Sequence, residues 1–419
     1  MIGAILHNPS PTANASSLEE FTLLINAAGF TVSHVFSQKS DKNDSVTYFG
    51  KGKLYEIREF YQNSLQNASE FPKFDCLIVN DDISALQKRS LEQIIGIPVF
   101  DRTLIILRIF ELNAKSKEAI LQVEIAKLEY TSNQLINSFA NYSQVTSGSG
   151  KNKGEGEKEI ELSKRQIERK IFLKKKELES IKLSRRTSRK QRNKLIAPKI
   201  AVVGYTNAGK STLINALIKY QGSHPNKNVY VKDDVFATLE TATRYISIFG
   251  YPAFFITDTV GFISHLPVCL VDAFRSTLEE IVEADLIVEV VDFSSPEYRE
   301  HIKTTNDVLA QIGCKDIPLL YLLNKFDKVT NRPTSLPNGN EIYTCLTEDD
   351  ESIIEILQFI SSFIAFGWEK CEVIFPYQDD FYRFMADNYV VSYKEKDDGY
   401  HCLVYLNPQT RYRYAYLFN

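Results

Sequence analysis

The stretch Gly204-Tyr-Thr-Asn-Ala-Gly-Lys-Ser211 follows the apolar segment Lys199–Val203 and fits the pattern Gly-x4-Gly-Lys-Ser. In this pattern the glycines let backbone N–H groups turn inward around a phosphate, the lysine spans two phosphates, and the serine hydroxyl binds Mg²⁺. The spacing therefore predicts a strand, a phosphate-binding loop and a helix, which is the beginning of a doubly wound α/β domain. The residues expected to contact the phosphates are Gly204, Tyr205, Thr206, Asn207, Ala208, Gly209, Lys210, Ser211 and Thr212.

A second segment, Asp258-Thr-Val-Gly261, follows the apolar stretch Ala253–Thr257. Its aspartate is suited to hold Mg²⁺ through water, and the Gly261 N–H is suited to meet a γ-phosphate and to swing when that phosphate leaves. Thr238, between the loop and Asp258, is the candidate for a second magnesium hydroxyl. We expect the catalytic residues to be Lys210, Thr238 and Gly261, and the magnesium ligands to be Ser211, Thr238 and Asp258. The other nucleotide contacts expected here are Phe236, Ala237, Leu239, Glu240, Thr259 and Val260.

A third segment, Asn324-Lys-Phe-Asp327, ends the apolar stretch Leu319–Leu323 and is suited to read a base. The Asp327 carboxylate can accept hydrogen bonds from N1–H and the 2-amino group of guanine, whereas adenine lacks both donors and would leave the carboxylate unpaired. Backbone N–H groups after Tyr343 are expected to reach the guanine oxygen. The predicted base contacts are Asn324, Lys325, Phe326, Asp327, Thr344, Cys345 and Leu346. Each segment alone is compatible with an ordinary turn at the end of a strand, but the three in this order predict a GTPase that binds GTP and GDP with Mg²⁺.

The composition is that of a globular protein of several domains, with 419 residues, 44% of them apolar and 24% charged. No apolar run approaches the roughly 20 residues that cross a bilayer. The six cysteines are scattered without a Cys-x-x-Cys pair, so we predict neither disulfides nor a cysteine-bound metal. These features favour a cytoplasmic protein.

The net charge of −4 hides a strongly basic segment. Residues 164–194 carry 14 Lys and Arg against three Glu, which gives a local net charge of +11. A charge run is often only a solvated surface, but this asymmetry favours a phosphate-backbone partner such as structured rRNA. The densest cluster is Arg185, Arg186, Arg189, Lys190, Arg192 and Lys194.

The pattern of elements predicts four parts. Residues 1–112 alternate between strand and helix signals, which favours an N-terminal α/β domain with a parallel sheet. Residues 113–196 hold two apolar seams on either side of a Gly-rich passage at 147–156, which predicts an antiparallel helical hairpin. Residues 197–366 form a P-loop G domain with a mostly parallel doubly wound sheet, and residues 367–419 form a small C-terminal α+β domain.

The predicted elements follow this division. The expected strands are Met1–Leu6, Phe30–Phe36, Cys76–Val79, Pro98–Phe100, Lys199–Val203, Ala253–Thr257, Leu286–Val291, Leu319–Leu323, Glu372–Phe375, Tyr389–Tyr393 and His401–Leu406. The expected helices are Leu18–Ala28, Leu54–Asn63, Ser84–Ile95, 113–140, Glu157–Lys194 and Asp380–Asp387, with four more beginning after Lys210, Ala273, Tyr298 and Glu351. Gly50-Lys-Gly-Lys53 is compatible with an anion site at a helix N-terminus or with a turn bearing solvated lysines, and the missing Ser/Thr after it favours the turn.

Three stretches of the chain, Gly204–Thr212, Phe236–Leu239 and Asp258–Ile263, resemble the HflX family of ribosome-associated GTPases. The resemblance extends upstream to Tyr48–Lys53 and Leu121–Glu124 and covers nearly the whole chain. It implies the four-part fold given above and binding to the large ribosomal subunit, with splitting or rescue of ribosomes by some members. An adenine-nucleotide activity of the N-terminal domain is also reported for some members, but the sequence contains no complete second phosphate loop to support it.

Three positions depart from the expected patterns. Thr344-Cys345 replaces the Ser-Ala that is usual in the family, and Thr241-Ala-Thr243 replaces a proline-containing stretch. Phe262 occupies the place where Ras-like enzymes have the glutamine that orients water, so we expect slow hydrolysis that depends on a partner or an ion. Asn207 resembles the asparagine of potassium-dependent GTPases, which makes K⁺ near the phosphates a hypothesis.

We therefore expect a monomeric GTP-hydrolysing factor that binds the large ribosomal subunit through its basic hairpin and splits or rescues ribosomes. The alternative is a nucleotide-gated rRNA-binding or ribosome-assembly scaffold in which hydrolysis is incidental. A P-loop ATPase is a third hypothesis, which Asp327 opposes.

Overall fold

The described residues form a mixed α/β structure with three β-sheets. The computed structural model describes residues 2–7, 15–38, 43–67, 70–145, 153–192, 197–221, 242–248, 250–259, 261–262, 281–314, 316–329, 341–345, 350–377 and 381–417. Described residues up to 191 form one compact unit, and those from 192 onward form a second. None of the described helices combines the length and apolar character needed to cross a membrane.

The first unit begins with a four-stranded parallel sheet in the order β2-β1-β3-β4. Helix α2 and helix α3 cover one face with an apolar core that includes Leu54, Ile57 and Leu91. The strands are β1 (Ile2–His7), β2 (Thr31–Ser37), β3 (Cys76–Val79) and β4 (Val99–Phe100), and the helices are α1 (Ala15–Ala27), α2 (Lys51–Gln66), α3 (Ala85–Ile95), α4 (Arg102–Asn113), α5 (Lys117–Val145) and α6 (Lys153–Arg192).

The long helices α5 and α6 contact each other along one seam. Leu121 and Ile125 of α5 pack against the buried Leu178 of α6. Three ion pairs, with N–O distances of 2.7 Å, flank the apolar contact: Lys117–Glu177, Glu124–Lys174 and Glu129–Lys175. An exposed ion pair of this kind contributes only about 0–1 kcal/mol to stability. The apolar seam is therefore the main source of stability where the two helices meet.

The second unit contains a six-stranded sheet in the order β10-β9-β8-β5-β7-β6. All neighbours are parallel except β6, which pairs antiparallel with β7. Helices α7 and α9 bury one face of this sheet in a single apolar core. The elements are β5 (Lys199–Val203), α7 (Lys210–Tyr220), β6 (Ala242–Ile246), β7 (Phe254–Asp258), β8 (Leu286–Asp292), α8 (Tyr298–Gln311), β9 (Leu319–Asn324), β10 (Glu341–Tyr343) and α9 (Asp350–Ile364).

The last part of the chain forms a three-stranded antiparallel sheet in the order β11-β13-β12. The core on one face of this sheet includes Phe375, Phe384 and Tyr414, all nearly inaccessible to solvent. The elements are β11 (Glu369–Phe375), α10 (Phe381–Asp387), β12 (Tyr389–Lys396), β13 (Gly399–Leu406) and α11 (Pro408–Arg413).

The turn between β6 and β7 touches this C-terminal sheet. The Val390 N–H donates to the Gly250 carbonyl at 3.0 Å. Three stacked tyrosines, which we call the aromatic ladder, continue the contact: Tyr251 lies 6.3 Å from Tyr389, and Tyr389 lies 5.7 Å from Tyr405, as distances between ring centroids. The two sheets of the second unit are therefore joined by both backbone and ring contacts.

Several elements differ from the sequence prediction. Helix α4 was not predicted because its residues are apolar on nearly every side, which removes the helical period from the pattern. Helix α6 begins at Lys153, so residues 153–156 are helical although the glycines predicted irregular chain. Strand β6 and helix α11 were also not predicted, and the helix expected after Ala273 lies outside the described residues.

Candidate functional site

The loop between β5 and α7 has a backbone that only certain residues allow. Gly204 has a φ of +140°, and a Cβ added there would lie 2.2 Å from the Val290 carbonyl oxygen of β8. Gly209, at the N-terminus of α7, has a φ of +109°, and Asn207 has a φ of +61°. Left-handed conformations favour glycine and, among other residues, asparagine. The sequence therefore fixes a tight loop whose backbone can approach a bound anion closely.

Lys210 is the buried cation of this loop. Its Nζ donates to the Gly204 carbonyl at 3.0 Å and to the Tyr205 carbonyl at 2.7 Å, and the residue is only 7% exposed. Burial lowers the pKa of Lys210 to about 8, and the nearby Asp258 opposes that shift. A phosphate would offer this ammonium a charged acceptor in place of two neutral carbonyls.

Ser211 and Asp258 meet at the carboxyl edge of the sheet. Their strands β5 and β7 are parallel neighbours, so the residues that follow them converge. The Ser211 hydroxyl donates to Asp258 Oδ2 at 2.9 Å, and Asp258 is fully buried. The hydroxyl of Thr259 donates to the Val202 carbonyl at 2.7 Å, which fixes the backbone after Asp258. A hydroxyl and a carboxylate are oxygen ligands of the kind that Mg²⁺ takes.

Gly261 and Phe262 lie directly against the phosphate loop. Phe262 N–H donates to the Gly204 carbonyl at 3.1 Å, and the Phe262 carbonyl accepts from Thr206 N–H at 2.9 Å. The Phe262 side chain is 2% exposed. A Cβ at Gly261 would lie 2.8 Å from Thr206 Cγ2 and 3.0 Å from Lys210 Nζ. The Asp-x-x-Gly segment and the loop therefore form one packed unit.

The segment after β9 contacts the same loop from the other side. Asn324 Nδ2 donates to the Ala208 carbonyl at 2.8 Å, and Lys325 Nζ donates to the Asn207 carbonyl at 2.9 Å. Lys325 has a φ of +62°, which turns the chain so that Asp327 follows in a short 3₁₀ helix, Phe326–Lys328. Asp327 is exposed, and the Cys345 thiol donates to its Oδ1 at 3.1 Å.

Two residues that sequence reasoning missed stabilise this arrangement. Asp292, the last residue of β8, receives a second hydrogen bond from Lys325 Nζ at 2.6 Å. His301 of α8 stacks on the ring of Tyr205 with a centroid distance of 3.9 Å. Asp292 follows an apolar strand next to β5 and β9, so its position at the carboxyl edge was a signal available in the sequence.

The structure brings most of the predicted residues to one edge of the six-stranded sheet. These are Gly204 to Ser211, Asp258, Thr259, Gly261, Asn324 to Asp327, Thr344 and Cys345, with Thr212 in the first turn of α7. The predicted contacts Phe236 to Glu240, Val260 and Leu346 lie outside the described residues. Of the basic cluster, Arg185, Arg186, Arg189, Lys190 and Arg192 belong to helix α6, whereas Lys194 lies outside the described residues.

Three stretches of the chain match models of known protein families. Residues 15–111 match the family model described as GTP-binding GTPase N-terminal, and residues 113–192 match the one described as GTP-binding GTPase Middle Region. Residues 199–325 match the one described as 50S ribosome-binding GTPase.

Individual proteins match over similar lengths. The chain is 35% identical to GTPase HflX of Caldanaerobacter subterraneus over 90% of this chain and 82% of that protein. It is 34% identical to GTPase HflX of Escherichia coli over 74% of this chain and 69% of that protein. Among solved structures, a GTP-binding protein from Sulfolobus solfataricus in complex with GDP aligns with 87% of this chain and 98% of that one, at 23% identity and a TM-score of 0.45.

Proposed function

The chain belongs to the HflX family of GTPases and is a GTP-hydrolysing enzyme, and from this premise we propose that it acts on ribosomes. It binds the large ribosomal subunit and uses GTP to split or rescue ribosomes. The match of residues 199–325 to a 50S ribosome-binding GTPase supports the partner. One observation gives the main support for the nucleotide site: Lys210, Asp258 and Asn324 lie together at the carboxyl edge of the six-stranded sheet.

In this proposal each segment of the site binds a different part of the nucleotide. The loop Gly204–Ser211 and the N-terminus of α7 surround the phosphates, and Lys210 exchanges its two carbonyl acceptors for phosphate oxygens. Gly261 N–H meets the γ-phosphate, and the lack of room for a side chain between Gly261 and the loop residues Thr206 and Lys210 supports that role. Asp327 reads guanine, while Asn324 and Lys325 hold the reading segment against the loop.

Mg²⁺ is the metal that the oxygen ligands fit. Ser211 and Asp258 are already within hydrogen-bond distance of each other beside the phosphate loop, and Thr238 is proposed as a further ligand from its sequence position. A bound magnesium ion would neutralise charge on the phosphate oxygens. The buried Asp258 would be stabilised as a carboxylate by that ion.

Hydrolysis is proposed to be slow until a partner or an ion completes the site. The side chain of Phe262 is buried and apolar, so it has no group with which to orient water. Asn207, exposed at the crest of the loop, is proposed to help bind K⁺. Equal turnover in K⁺ and Na⁺ buffers would contradict the potassium part alone.

The helical hairpin is proposed to contact rRNA. On helix α6, Arg169 and Lys176 are exposed and lie on the same face as Phe172, which is 67% exposed. Cations beside an exposed aromatic ring suit a phosphate backbone with unpaired bases. The cluster Arg185 to Lys194 extends the same basic segment. If six to eight phosphates are neutralised, log affinity should fall with log salt at a slope of roughly −4 to −7.

The four-part layout with boundaries near residues 112, 196 and 366 is part of this proposal. The contacts between α5 and α6 support the antiparallel hairpin, and the separate core of β11 to β13 supports the C-terminal part. We also propose that the chain works as a monomer in the cytoplasm, where a ribosomal partner would be found.

The decisive experiment measures GTP turnover with and without purified large subunits, and then follows ribosomes by sucrose-gradient sedimentation. We expect large subunits to stimulate turnover and whole ribosomes to be lost only with GTP. Stable association without splitting would instead support the rRNA-binding scaffold. A variant with Arg169, Lys170 and Lys176 changed to Gln should lose binding, whereas changing the exposed Lys73, Lys219 and Lys303 to Gln is the matched control.

A further inference from the structure

Two side chains meet at the edge of the base-reading segment. Cys345, the second residue after β10, is half-buried, and its Sγ lies 3.1 Å from Oδ1 of Asp327. The thiol is the donor in this contact because an ionised carboxylate only accepts. Cys345 therefore occupies one acceptor position of the carboxylate to which guanine is assigned.

The backbone holds the two residues in fixed relation. The Thr344 N–H donates to the Leu323 carbonyl at 3.0 Å, which continues the pairing of β10 with β9 by one residue. The Thr344 carbonyl in turn accepts from Phe326 N–H at 3.3 Å. These bonds connect the residue before Cys345 with the residue before Asp327.

Three aromatic rings pack against one another and connect the same two segments. Phe326 and Tyr343 lie 5.3 Å apart by ring centroid, and Phe293, after β8, lies 5.6 Å from Tyr343 and 6.3 Å from Phe326. Edge-to-face and offset contacts at these distances are favourable and directional. Because Phe326 precedes Asp327 and Tyr343 precedes Cys345 by two residues, the rings limit relative movement of the carboxylate and the thiol.

A carboxylate has about four acceptor positions, and guanine uses only two of them. Rotation about the last bond of an aspartate is soft, so an isolated Asp327 would sample orientations that cannot meet N1–H and the 2-amino group together. A thiol bonded to Oδ1 removes part of that freedom before the base arrives.

We propose that Cys345 is a positioning residue for guanine, whose thiol orients the Asp327 carboxylate toward the two donors on the base edge. The inference rests on the proposed reading of guanine by Asp327. It predicts that the thiol contributes most when both base donors are present and less for hypoxanthine, which lacks the 2-amino group.

The test is calorimetric titration of the full chain with GDP, IDP and ADP. Cys345→Ala should weaken GDP binding about three- to tenfold, the range expected for losing one hydrogen bond. It should weaken IDP binding by a smaller factor. Cys345→Ser, which restores a donor of similar size, should return GDP affinity to within about twofold of the unchanged chain. Cys371→Ala is the matched control, because Cys371 is also half-buried but donates to the Glu369 carbonyl in β11.

Four results would overturn the inference. GDP affinity that is the same in Cys345→Ala and the unchanged chain would show that the thiol does not position the base. Equal losses in the Ala and Ser variants, or equal losses for GDP and IDP, would assign Cys345 a packing role. An unchanged chain that binds ADP as tightly as GDP would overturn the assignment of Asp327, and this inference with it.

Discussion

Lys325 Nζ lies 2.6 Å from Asp292 Oδ2, and the same ammonium group donates to the Asn207 carbonyl of the phosphate loop at 2.9 Å. Both side chains of the ion pair are about one-fifth exposed. The lysine therefore joins the end of β8 to the loop, and the aspartate holds it in a left-handed turn that would otherwise cost energy.

Asp292→Asn should weaken GDP binding about three- to tenfold, because the neutral amide holds the Lys325 ammonium less strongly and the loop loses a restraint. Calorimetric titration measures the change. Asp307→Asn, on the exposed side of α8, is the control and should bind GDP as the unchanged chain does. Equal affinity in the Asp292 variant would mean that the loop holds its conformation without this ion pair.

Asp327→Asn should reverse base preference. The amide can donate where the carboxylate accepted, so GDP binding should fall about 10- to 100-fold while xanthosine diphosphate, which has a carbonyl in place of the 2-amino group, should gain. Competition between the two nucleotides gives the ratio directly. If the variant kept its preference for GDP, base reading would have to be assigned to other residues.

Gly261→Ala should lower the rate of GTP turnover more than it lowers the affinity for GDP. The added Cβ would lie 2.8 Å from Thr206 Cγ2 and 3.1 Å from Thr206 Cα, and backbone cannot rotate away as a side chain can. We expect turnover to fall at least about tenfold with GDP affinity nearly unchanged, which corresponds to about 1.4 kcal/mol or more in the barrier. Gly52→Ala, where a Cβ meets nothing within 4 Å, should leave turnover as it is.

Glu289→Gln should change how stability depends on pH. Glu289 is 1% exposed in β8, and burial raises its pKa to about 8, while a hydrogen bond with Thr305 opposes the shift. The folded chain therefore holds a proton that the unfolded chain releases near its usual pKa of 4.5. The stabilising contribution is complete below pH 4.5 and is lost as pH rises through about 8.

The measurement is the urea midpoint of both chains from pH 5 to pH 8. The glutamine variant cannot lose this proton, so its midpoint should rise relative to that of the unchanged chain as pH increases. Glu300→Gln, on the exposed surface of α8, is the control. Parallel pH curves for Glu289→Gln and the unchanged chain would indicate that Glu289 is ionised in the folded state.

The tyrosines Tyr251 and Tyr389 should be energetically coupled, because their rings stack across two sheets. A double-mutant cycle with Tyr251→Leu and Tyr389→Leu should give a coupling of about 0.5–1.5 kcal/mol in the free energy of unfolding. The same cycle with Tyr412, which is 91% exposed, in place of Tyr389 should give a coupling near zero. If the two substitutions change the free energy of unfolding additively, the stacking of Tyr251 on Tyr389 contributes no stability beyond the burial of the two rings.

Sequence was most informative where a motif and an apolar strand occur together. Strand β3 has the predicted bounds, and β5 ends at Val203 directly before the loop. The turns predicted at Gly204 and Gly209 correspond to the positive φ values found there, whereas the positive φ of Asn207 was not predicted. The strands and the two glycine turns were predictable because local backbone chemistry alone decides them.

Other features depend on contacts between distant residues and left no local pattern. Helix α4 is exposed mainly at Arg108, Glu111 and Leu112, and its apolar residues lie on every other side, so the sequence shows no clear helical period. Strand β6 depends on antiparallel pairing with β7, and the ion pair of Lys325 with Asp292 depends on the order of strands in the sheet. The buried carboxyl of Glu289 likewise follows from packing of α8 on β8, which no periodicity in the chain reveals.

The hydrogen bond from the Val390 N–H to the Gly250 carbonyl affects where the second unit could be shortened without disturbing its structure. The proposed boundary near residue 366 would divide the chain between the strands of the six-stranded sheet and the last three strands, although the two sheets contact each other in the folded unit. A protein shortened before β11 would expose to water the Gly250 carbonyl and the face of the Tyr251 ring that the last strands contact in the intact molecule. The final strands therefore act as a cover for the turn that connects β6 to β7, and a shortened protein would be the wrong reference for judging that turn.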